Sequence, residues 1–263
     1  MNHRPRKRFG QNFLHDPGVI SRIVSVINPQ PGDNLVEIGP GKGAITLPLL
    51  AAAGRLQVVE LDRDLIGPLA TLCGSAGELT IHNADALKTD FCGLANDQPL
   101  RVVGNLPYNI STPLLFHLLA QSQCISDMYF MLQREVVDRL AAAPGSGQYG
   151  RLSVMVQYRC EVIPLFTIGA GAFQPAPKVE SGFVRLLPYR ELPVTVDDEV
   201  IFARLVQQAF GQRRKTLRNA LRELLDATEI EALGIDPAAR AETLGIREFA
   251  ALANCAATRA GAS

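Results

Sequence analysis

The stretch NLVEIGPGKGAIT, residues 34–46, decides the fold of this chain. A short β-rich run ends in Gly39, and two further glycines precede a helix-forming stretch. Glycine adopts the left-handed backbone of a tight turn and lets a ligand approach the main chain. A strand that passes through such a turn into a helix is typical of a parallel sheet that binds its ligand at the carboxyl ends of the strands. We therefore expect a ligand site beside this turn.

Short β-rich runs alternate with longer amphipathic stretches around this turn. The β-rich runs lie at 34–39, 57–61, 79–84, 101–106 and 128–133, and the helical patterns lie at 43–53, 63–73, 112–121 and 134–143. This alternation predicts an α/β fold, a parallel sheet with helices on both faces. The runs 161–168 and 179–187 lack an intervening helix, so we expect a hairpin that closes the sheet with an antiparallel strand.

The pattern changes after Pro188 to helices without strands, at 197–210 and 213–226, followed by shorter turns. We therefore predict a boundary near 190 within the 263 residues. Residues 1–190 form the predicted catalytic domain, with a basic amino-terminal arm at 1–17. Residues 191–263 form a small helical domain.

The charges of the chain balance, with 26 basic and 26 acidic residues, but they are unevenly distributed. Basic residues without acids fill Arg4–Arg8 and return at Arg213, Arg214, Lys215, Arg218 and Arg222. The second cluster is either a solvated helix face or a surface that binds the phosphates of a nucleic acid.

The expected compartment is the cytoplasm. No apolar run approaches the roughly 20 residues needed to cross a bilayer, and no signal-peptide pattern follows the basic amino terminus. The five cysteines are odd in number and widely spaced, and they include no CxxC pair. We therefore expect reduced thiols, with neither a disulfide framework nor a metal site.

Two acids follow the glycine turn at the ends of the next strands. We expect the carboxylate of Glu60 to accept hydrogen bonds from ribose hydroxyls, and that of Asp85 to accept one from an adenine amino group. Together with Gly39 and Gly41 of the turn, these acids suit either NAD or S-adenosylmethionine. Either acid could instead cap a helix. The lysine of the turn is followed by glycine, which excludes a phosphate-binding Walker loop.

The fourth strand ends in Asn105-Leu106-Pro107-Tyr108, the most specific local motif of the chain. The exocyclic N6 of adenine is a poor nucleophile, because its lone pair is delocalised, and a site that methylates it needs acceptors for its N–H groups. The amide oxygen of Asn105 and the carbonyl of Leu106 can accept them. Pro107 stiffens the turn, and Tyr108 offers an aromatic face to the base. The motif favours methylation of adenine, although an Asn-Pro turn with a core-capping Tyr is the structural alternative.

Phe173 follows a glycine-rich loop and precedes Gln174-Pro175. Its ring is either exposed, where it can stack on a base, or part of the core.

Eight segments along nearly the whole chain match one known pattern. They are KRFGQNFL at 7–14, EIGPGKGAIT at 37–46, VVELDRDL at 58–65, NADAL at 83–87, VGNLPYNISTPLLFHLL at 103–119, YGRLSVMVQ at 149–157, FQPAPKVESGFVRL at 173–186 and QRRKTLRNAL at 212–221. Together they resemble the ribosomal small-subunit RNA adenine dimethyltransferase family. The family's usual FxPPPKVDS differs here at Ala176 and Glu180, and the loop before YGR lacks a lysine often found there, so we expect one RNA phosphate contact to be absent.

The resemblance implies a class I methyltransferase that uses S-adenosylmethionine to dimethylate two adjacent adenosines in a hairpin loop near the 3′ end of small-subunit ribosomal RNA. It implies cofactor contacts at Asn12, Leu14, Gly39, Glu60, Asp85 and Asn105. It also implies that Tyr108 and Phe173 hold the target adenine between them. The expected partner is this RNA within an assembling small subunit. We expect a monomer that binds the RNA through the amino-terminal arm and the basic helix around Arg213–Arg222, without a membrane contact.

Three other functions remain open on the residues themselves. A large-subunit RNA adenine methyltransferase of the antibiotic-resistance type shares the core motifs, but QRRKTLRNAL and YGRLSVMVQ favour the small-subunit enzyme. The chain could instead be a ribosome-assembly or transcription factor that keeps the fold as a binding module, against which the intact Asn105, Tyr108 and Asp85 count. An NAD-linked oxidoreductase is disfavoured because no proton-relay His or Tyr-Lys pair accompanies the glycine turn.

Overall fold

The computed structural model describes residues 12–212 and 214–261. The strands are β1 (Phe13–Leu14), β2 (Leu35–Ile38), β3 (Arg55–Val59), β4 (Glu78–His82), β5 (Leu100–Asn105), β6 (Ile125–Gln133), β7 (Cys160–Ile168), β8 (Phe173–Gln174) and β9 (Ser181–Pro188). The helices are α1 (Pro17–Ile27), α2 (Thr46–Ala53), α3 (Arg63–Cys73), α4 (Phe91–Ala95), α5 (Ser111–Leu119), α6 (Arg134–Leu140), α7 (Arg151–Arg159), α8 (Glu199–Gly211), α9 (Leu217–Ala220), α10 (Ala227–Ala232) and α11 (Ile246–Gly261).

The main sheet has seven strands in the order β4-β3-β2-β5-β6-β9-β7. Strands β4, β3, β2, β5 and β6 run parallel, and β9 pairs antiparallel with β6. The predicted α/β fold with an antiparallel closing strand is therefore confirmed. In this register Ile38 lies opposite both Val59 and Gly104, so the carboxyl ends of β2, β3 and β5 meet at one edge.

Strand β2 lies between two parallel neighbours, and all of its residues are buried. A strand covered on both faces needs a continuous apolar run, as residues 35–38 provide except at Glu37. Caps fix where the surrounding helices begin: the Asp62 side chain accepts the Asp64 N–H at the start of α3, and Asp16 caps α1 before a proline at its first position.

Residues 213–226 do not form the continuous helix that the sequence predicted. Among the described residues of this segment, 214–226, only Leu217–Ala220 is helical, and Asp226 caps the start of α10 with a capping box. The Leu217 N–H donates to the Ala239 carbonyl at 2.9 Å, a partner outside the segment. The buried leucines at every fourth position, 217, 221 and 225, explain why the pattern resembles a helix. The short helices α4 and α7 were not predicted, and the shorter turns expected after residue 226 include α11, a helix of 16 residues.

Two compact units divide the chain. Among the described residues, one takes in 12–137 together with Ile163–Pro188, and the other takes in Asp138–Val162 and the described residues from Tyr189 to 261. The division near 188 lies close to the predicted boundary at 190, but 138–162 groups with the carboxyl-terminal unit and not with the predicted 1–190 domain. Each unit has its own hydrophobic core.

The structure corrects the prediction of five reduced cysteines. Cys92 in α4 and Cys124 form a disulfide across 32 residues of sequence. Cys73 and Cys160 are buried thiols, and Cys255 is partly exposed. Burial raises the pKa of Cys160 to about 12, which keeps it an unreactive thiol. The spacing of two cysteines does not reveal a pair that only the tertiary fold brings together.

None of the helices among the described residues is long and apolar enough to cross a membrane. The same residues contain no group of three or more His, Cys, Asp or Glu side chains that could hold a metal ion.

The disulfide should contribute measurably to stability. Closing a loop of this length removes chain entropy from the unfolded state, so adding reductant should lower the free energy of unfolding by about 3 to 4 kcal/mol. Urea denaturation with and without reductant measures the difference. A Cys92→Ala/Cys124→Ala variant is the control, since its unfolding should not respond to reductant. Titration of all five thiols in the untreated, denatured protein would show that the bridge is absent.

Candidate active site

A cavity of about 310 Å³ lies at the carboxyl edge of the sheet. Ten of the eleven residues proposed from the sequence for the cofactor or the chemistry line it: Asn12, Leu14, Gly39, Gly41, Glu60, Asp85, Asn105, Leu106, Pro107 and Tyr108. They come from β1 and the residue before it, from the last residue of β5, and from the segments that follow β2, β3, β4 and β5. The exception is Phe173.

The glycine turn after β2 has the geometry that its sequence predicted. Gly39 and Gly41 have positive φ angles of 67° and 59°. The Gly39 N–H donates to the Val59 carbonyl at 3.0 Å, which ties the turn to β3. A Cβ atom at Gly41 would lie 3.1 Å from the Phe13 ring, so a larger residue would press against β1. Glycine is therefore favoured at position 41 both by the positive φ angle and by the close packing of Phe13.

Glu60 is a buried carboxyl group, 5% exposed, at the end of β3. Its Oε2 accepts the Gly41 N–H at 3.3 Å and its Oε1 accepts the Asp62 N–H at 2.7 Å. Burial raises the pKa of Glu60, and the two N–H groups oppose that rise because they favour the charged form. A carboxylate accepts more than one hydrogen bond at each oxygen, so both oxygens keep capacity for ligand hydroxyls.

Asp85 forms hydrogen bonds within its own loop and also lines the cavity. Its Oδ1 accepts the Leu87 N–H at 3.0 Å within a turn, so Asp85 does not cap a helix, the alternative that the sequence left open. Its carbonyl accepts the Thr89 hydroxyl at 3.0 Å, and the Thr89 carbonyl contacts the His117 ring nitrogen at 2.8 Å. The loop that carries Asp85 is thus held to α5, the helix that follows the Asn105–Tyr108 motif.

The Asn105 side chain is oriented by the amino-terminal strand. Its Nδ2 donates to the Asn12 carbonyl at 2.9 Å. Since only the NH₂ group of an amide can donate to a carbonyl, this contact fixes which end of the amide is the oxygen. The Leu106 N–H donates to the Met131 carbonyl at 3.1 Å, and the Pro107 carbonyl accepts the Ile110 N–H at 3.1 Å. These bonds hold the turn between β5 and α5.

Phe173 is not exposed to the cavity. It pairs with Leu14 between the two short strands β8 and β1, and the residue is only 3% exposed in the hydrophobic core. In this conformation no face of the ring is open to a base, unlike the sandwich with Tyr108 that the resemblance implies. Pairing with β1 is the physical reason, since it draws residue 173 toward the core.

Glu37 is a cavity residue that the sequence analysis did not select. It is 1% exposed within β2, and its Oε2 has no hydrogen-bond partner among the described residues. Burial, with a further contribution from the Glu60 charge, raises the pKa of Glu37 to about 8. An acid inside a strand that is otherwise apolar is the sequence signal that could have found it, because buried acids are rare unless they serve a ligand or an ion pair.

The basic cluster lies in the carboxyl-terminal unit. Its described members, Arg214, Lys215, Arg218 and Arg222, are all exposed, and Arg213 lies outside the described residues. The cluster spans a turn and the short α9, so it is not the basic helix that was expected. Exposed guanidinium and ammonium groups remain free to meet phosphates in that arrangement.

A mostly parallel sheet with one antiparallel strand and a cavity at its carboxyl edge defines a Rossmann-like class I methyltransferase fold. A dimethyladenosine transferase from Plasmodium falciparum has this fold, with a TM-score of 0.77 and 24% identity over 91% of this chain and 95% of that one. A 23S rRNA methyltransferase, ErmE, also has it, with a TM-score of 0.73 and 24% identity over 93% of this chain and 99% of that one.

Sequence comparison is more specific than the fold. The model of the ribosomal RNA adenine dimethylase family matches residues 2–258. The ribosomal RNA small subunit methyltransferase A of Marinobacter nauticus is 58% identical over 252 residues, which are 96% of this chain and 91% of that protein. The chain belongs to the ribosomal RNA adenine dimethylase family.

The buried Glu37 predicts how stability depends on pH. Between pH 4.5 and about 8 the folded chain keeps a proton that the unfolded chain releases, so the free energy of unfolding falls as the pH rises. Glu37→Gln removes this penalty. Its stability relative to wild type should improve from about pH 5 to about pH 8 by on the order of a few kcal/mol at most. Denaturation across that range without ligand measures it, and a difference independent of pH would contradict the assignment.

Proposed function

We propose that this chain transfers two methyl groups from S-adenosylmethionine to the exocyclic N6 of each of two adjacent adenosines in a hairpin loop near the 3′ end of small-subunit ribosomal RNA. The observation that carries the proposal is the contact from Asn105 Nδ2 to the Asn12 carbonyl.

The charge of the cavity supports the choice of cofactor. Glu37, Glu60 and Asp85 line it, and S-adenosylmethionine carries a sulfonium and an α-ammonium group. The buried Glu37 oxygen that lacks a partner can accept a hydrogen bond from a cationic donor, whose charge would favour loss of the Glu37 proton. Glu60 suits a ribose diol. An anionic pyrophosphate would instead approach the carboxyl groups of Glu60 and Asp85, which disfavours NAD. S-adenosylmethionine, when bound, supplies an electrophilic methyl group whose transfer leaves a neutral thioether.

The residues of this chain hold the adenine for attack. Acceptors at Asn105 and Leu106 bind the N6 hydrogens and help the nitrogen become tetrahedral, which withdraws its lone pair from conjugation with the ring. The N6 lone pair forms the new C–N bond, and the nitrogen then releases one proton to solvent. A base with one methyl still has one N–H and a lone pair, so it can react again. Dimethyladenosine has no N–H left, which limits the reaction to two additions.

The shape of the site supports an unpaired base as substrate. Tyr108 can stack only on an adenine that has left its helix, and unstacking is easiest in a loop. Relatives named ribosomal RNA small subunit methyltransferase A, at 58% identity, support the small-subunit RNA over the large-subunit RNA. We further propose that the chain works as a monomer in the cytoplasm, on RNA within an assembling small subunit.

Replacing the acceptor amide tests the proposal directly. Asn105→Ala should abolish both methyl additions and leave RNA affinity nearly intact, because phosphate contacts dominate RNA binding. Nucleoside mass spectrometry of the reacted RNA, with small-subunit and large-subunit RNA compared, is the measurement. Full activity in the variant, or a product methylated on ring N1 or on ribose, would disprove the proposed role of Asn105. Product on large-subunit RNA alone would overturn the choice of substrate.

The exposed basic cluster should set the salt dependence of RNA binding. Each lost phosphate contact should flatten the slope of log K against log salt by about 0.7 to 0.9, so Arg214→Gln/Lys215→Gln/Arg218→Gln should bind RNA with a shallower slope. Filter binding at several salt concentrations measures it. Arg240→Gln/Arg247→Gln, at exposed positions of the same unit, is the control. Equal slopes for the cluster variant and wild type would show that the cluster is only a solvated surface.

A further inference from the structure

Tyr108 is held at both of its ends by buried serines. The Ser111 hydroxyl, at the start of α5, donates to the Tyr108 carbonyl at 3.2 Å. The Ser181 hydroxyl, at the start of β9, lies 3.0 Å from the Tyr108 hydroxyl. Ser111 and Ser181 are 2% and 1% exposed. The ring between these two anchors borders the cavity.

The backbone around Ser181 is held in place by strand pairing and close packing. It pairs with Gln133 at the end of β6 in the antiparallel ladder. The residue before it, Glu180, accepts the Arg134 N–H at 3.0 Å through its carbonyl and pairs with the Arg134 guanidinium at 2.8 Å. At Gly182, a Cβ atom would lie 2.9 Å from a methyl group of Val137, so the strand is closely packed there. The Ser181 hydroxyl is therefore a fixed point against which the tyrosine can be oriented.

The hydrogen bond at the Tyr108 hydroxyl controls the orientation of the Tyr108 ring. With the Tyr108 backbone fixed, a fixed hydroxyl position sets the direction of the ring axis. The phenolic O–H prefers the plane of the ring, so the direction of the bond also limits the twist of that plane. A tyrosine at the border of a cavity would otherwise sample several rotamers, each presenting a different face to the ligand.

We propose that Ser181 is a positioning residue, which holds Tyr108 in the one orientation that stacks on the target base. This role rests on the proposed function, because it needs the base to lie against Tyr108. The second methyl transfer needs the more accurate orientation of the base, because the methylated amine has a single N–H left to donate to an acceptor. Loss of the anchor should therefore affect the second addition more than the first.

Ser181→Ala should lower kcat by about 3- to 10-fold, the range that loss of one hydrogen bond produces, and leave the KM for RNA nearly unchanged. The ratio of monomethyl to dimethyl product should rise. Tyr108→Phe, which keeps the ring and removes the same hydrogen bond, should match it. The double variant should be no slower than the slower single variant, because both changes delete one interaction. Ser126→Ala is the control, since its hydroxyl bonds the Leu100 carbonyl at the amino end of β6.

The outcomes separate this proposal from the proposed function. Wild-type enzyme that makes no N6-methylated adenine would overturn the proposed function itself. Dimethylation by wild type with unchanged kcat and product ratio in Ser181→Ala would overturn the positioning role alone. Effects of Ser181→Ala and Tyr108→Phe that multiply in the double variant would also overturn it, because they would show that the serine acts apart from the tyrosine. A fall in kcat that Ser126→Ala reproduces would assign the effect to general loss of stability, against the proposal.

Discussion

The carboxylate of Glu60 is the constraint on which the cavity depends. It accepts one N–H from the glycine turn after β2 and another from Asp62, the residue that caps α3. A single buried group thus joins two strand ends and one helix start. Its burial has an unfavourable electrostatic component, which the two N–H donors offset in part, so the pKa of Glu60 stays raised. Because the same oxygens border the cavity, the group that shapes the turn also faces the ligand.

The amino-terminal strand β1 makes the second connection across the site. Asn12 contacts Asn105, and Leu14 pairs with Phe173, so residues distant in sequence meet at a two-stranded ladder of two residues each. The ring of Phe13 lies against Gly41. Residues 12–14, which are β1 and the residue before it, therefore contact the glycine turn, the acceptor amide and the loop of Phe173. A change in the pairing of β1 would alter all three contacts.

The sequence predicted the parts of the molecule that follow local periodicity. The parallel strands and their order of appearance were predictable, because the β-rich runs around Gly39, Glu60 and Asn105 are short, apolar and bounded by turn residues. The cavity residues at strand ends followed from the same register. Features set by distant contacts were not predictable: the burial of Phe173 depends on β1, and the Cys92–Cys124 bridge depends on how α4 meets the segment after α5.

The predicted helix at 213–226 also failed because of a distant contact. The buried leucines keep helical spacing, but the Leu217 N–H bonds to Ala239, a partner that periodicity does not reveal. Glu37 is the opposite case, because its position in an apolar strand was visible in the sequence while its lack of a partner was not.

The bond between Asn105 and Asn12 also restricts which side chains position 105 can accept. The Asn12 carbonyl is an acceptor, and it meets an amide NH₂ group at 2.9 Å. An ionised aspartate has the same shape but carries no donor, so two oxygen atoms would oppose each other there. Asparagine and aspartate, commonly interchangeable in turns, are thus inequivalent at this position. The amino-terminal strand selects the amide over the acid, independently of any demand made by the substrate.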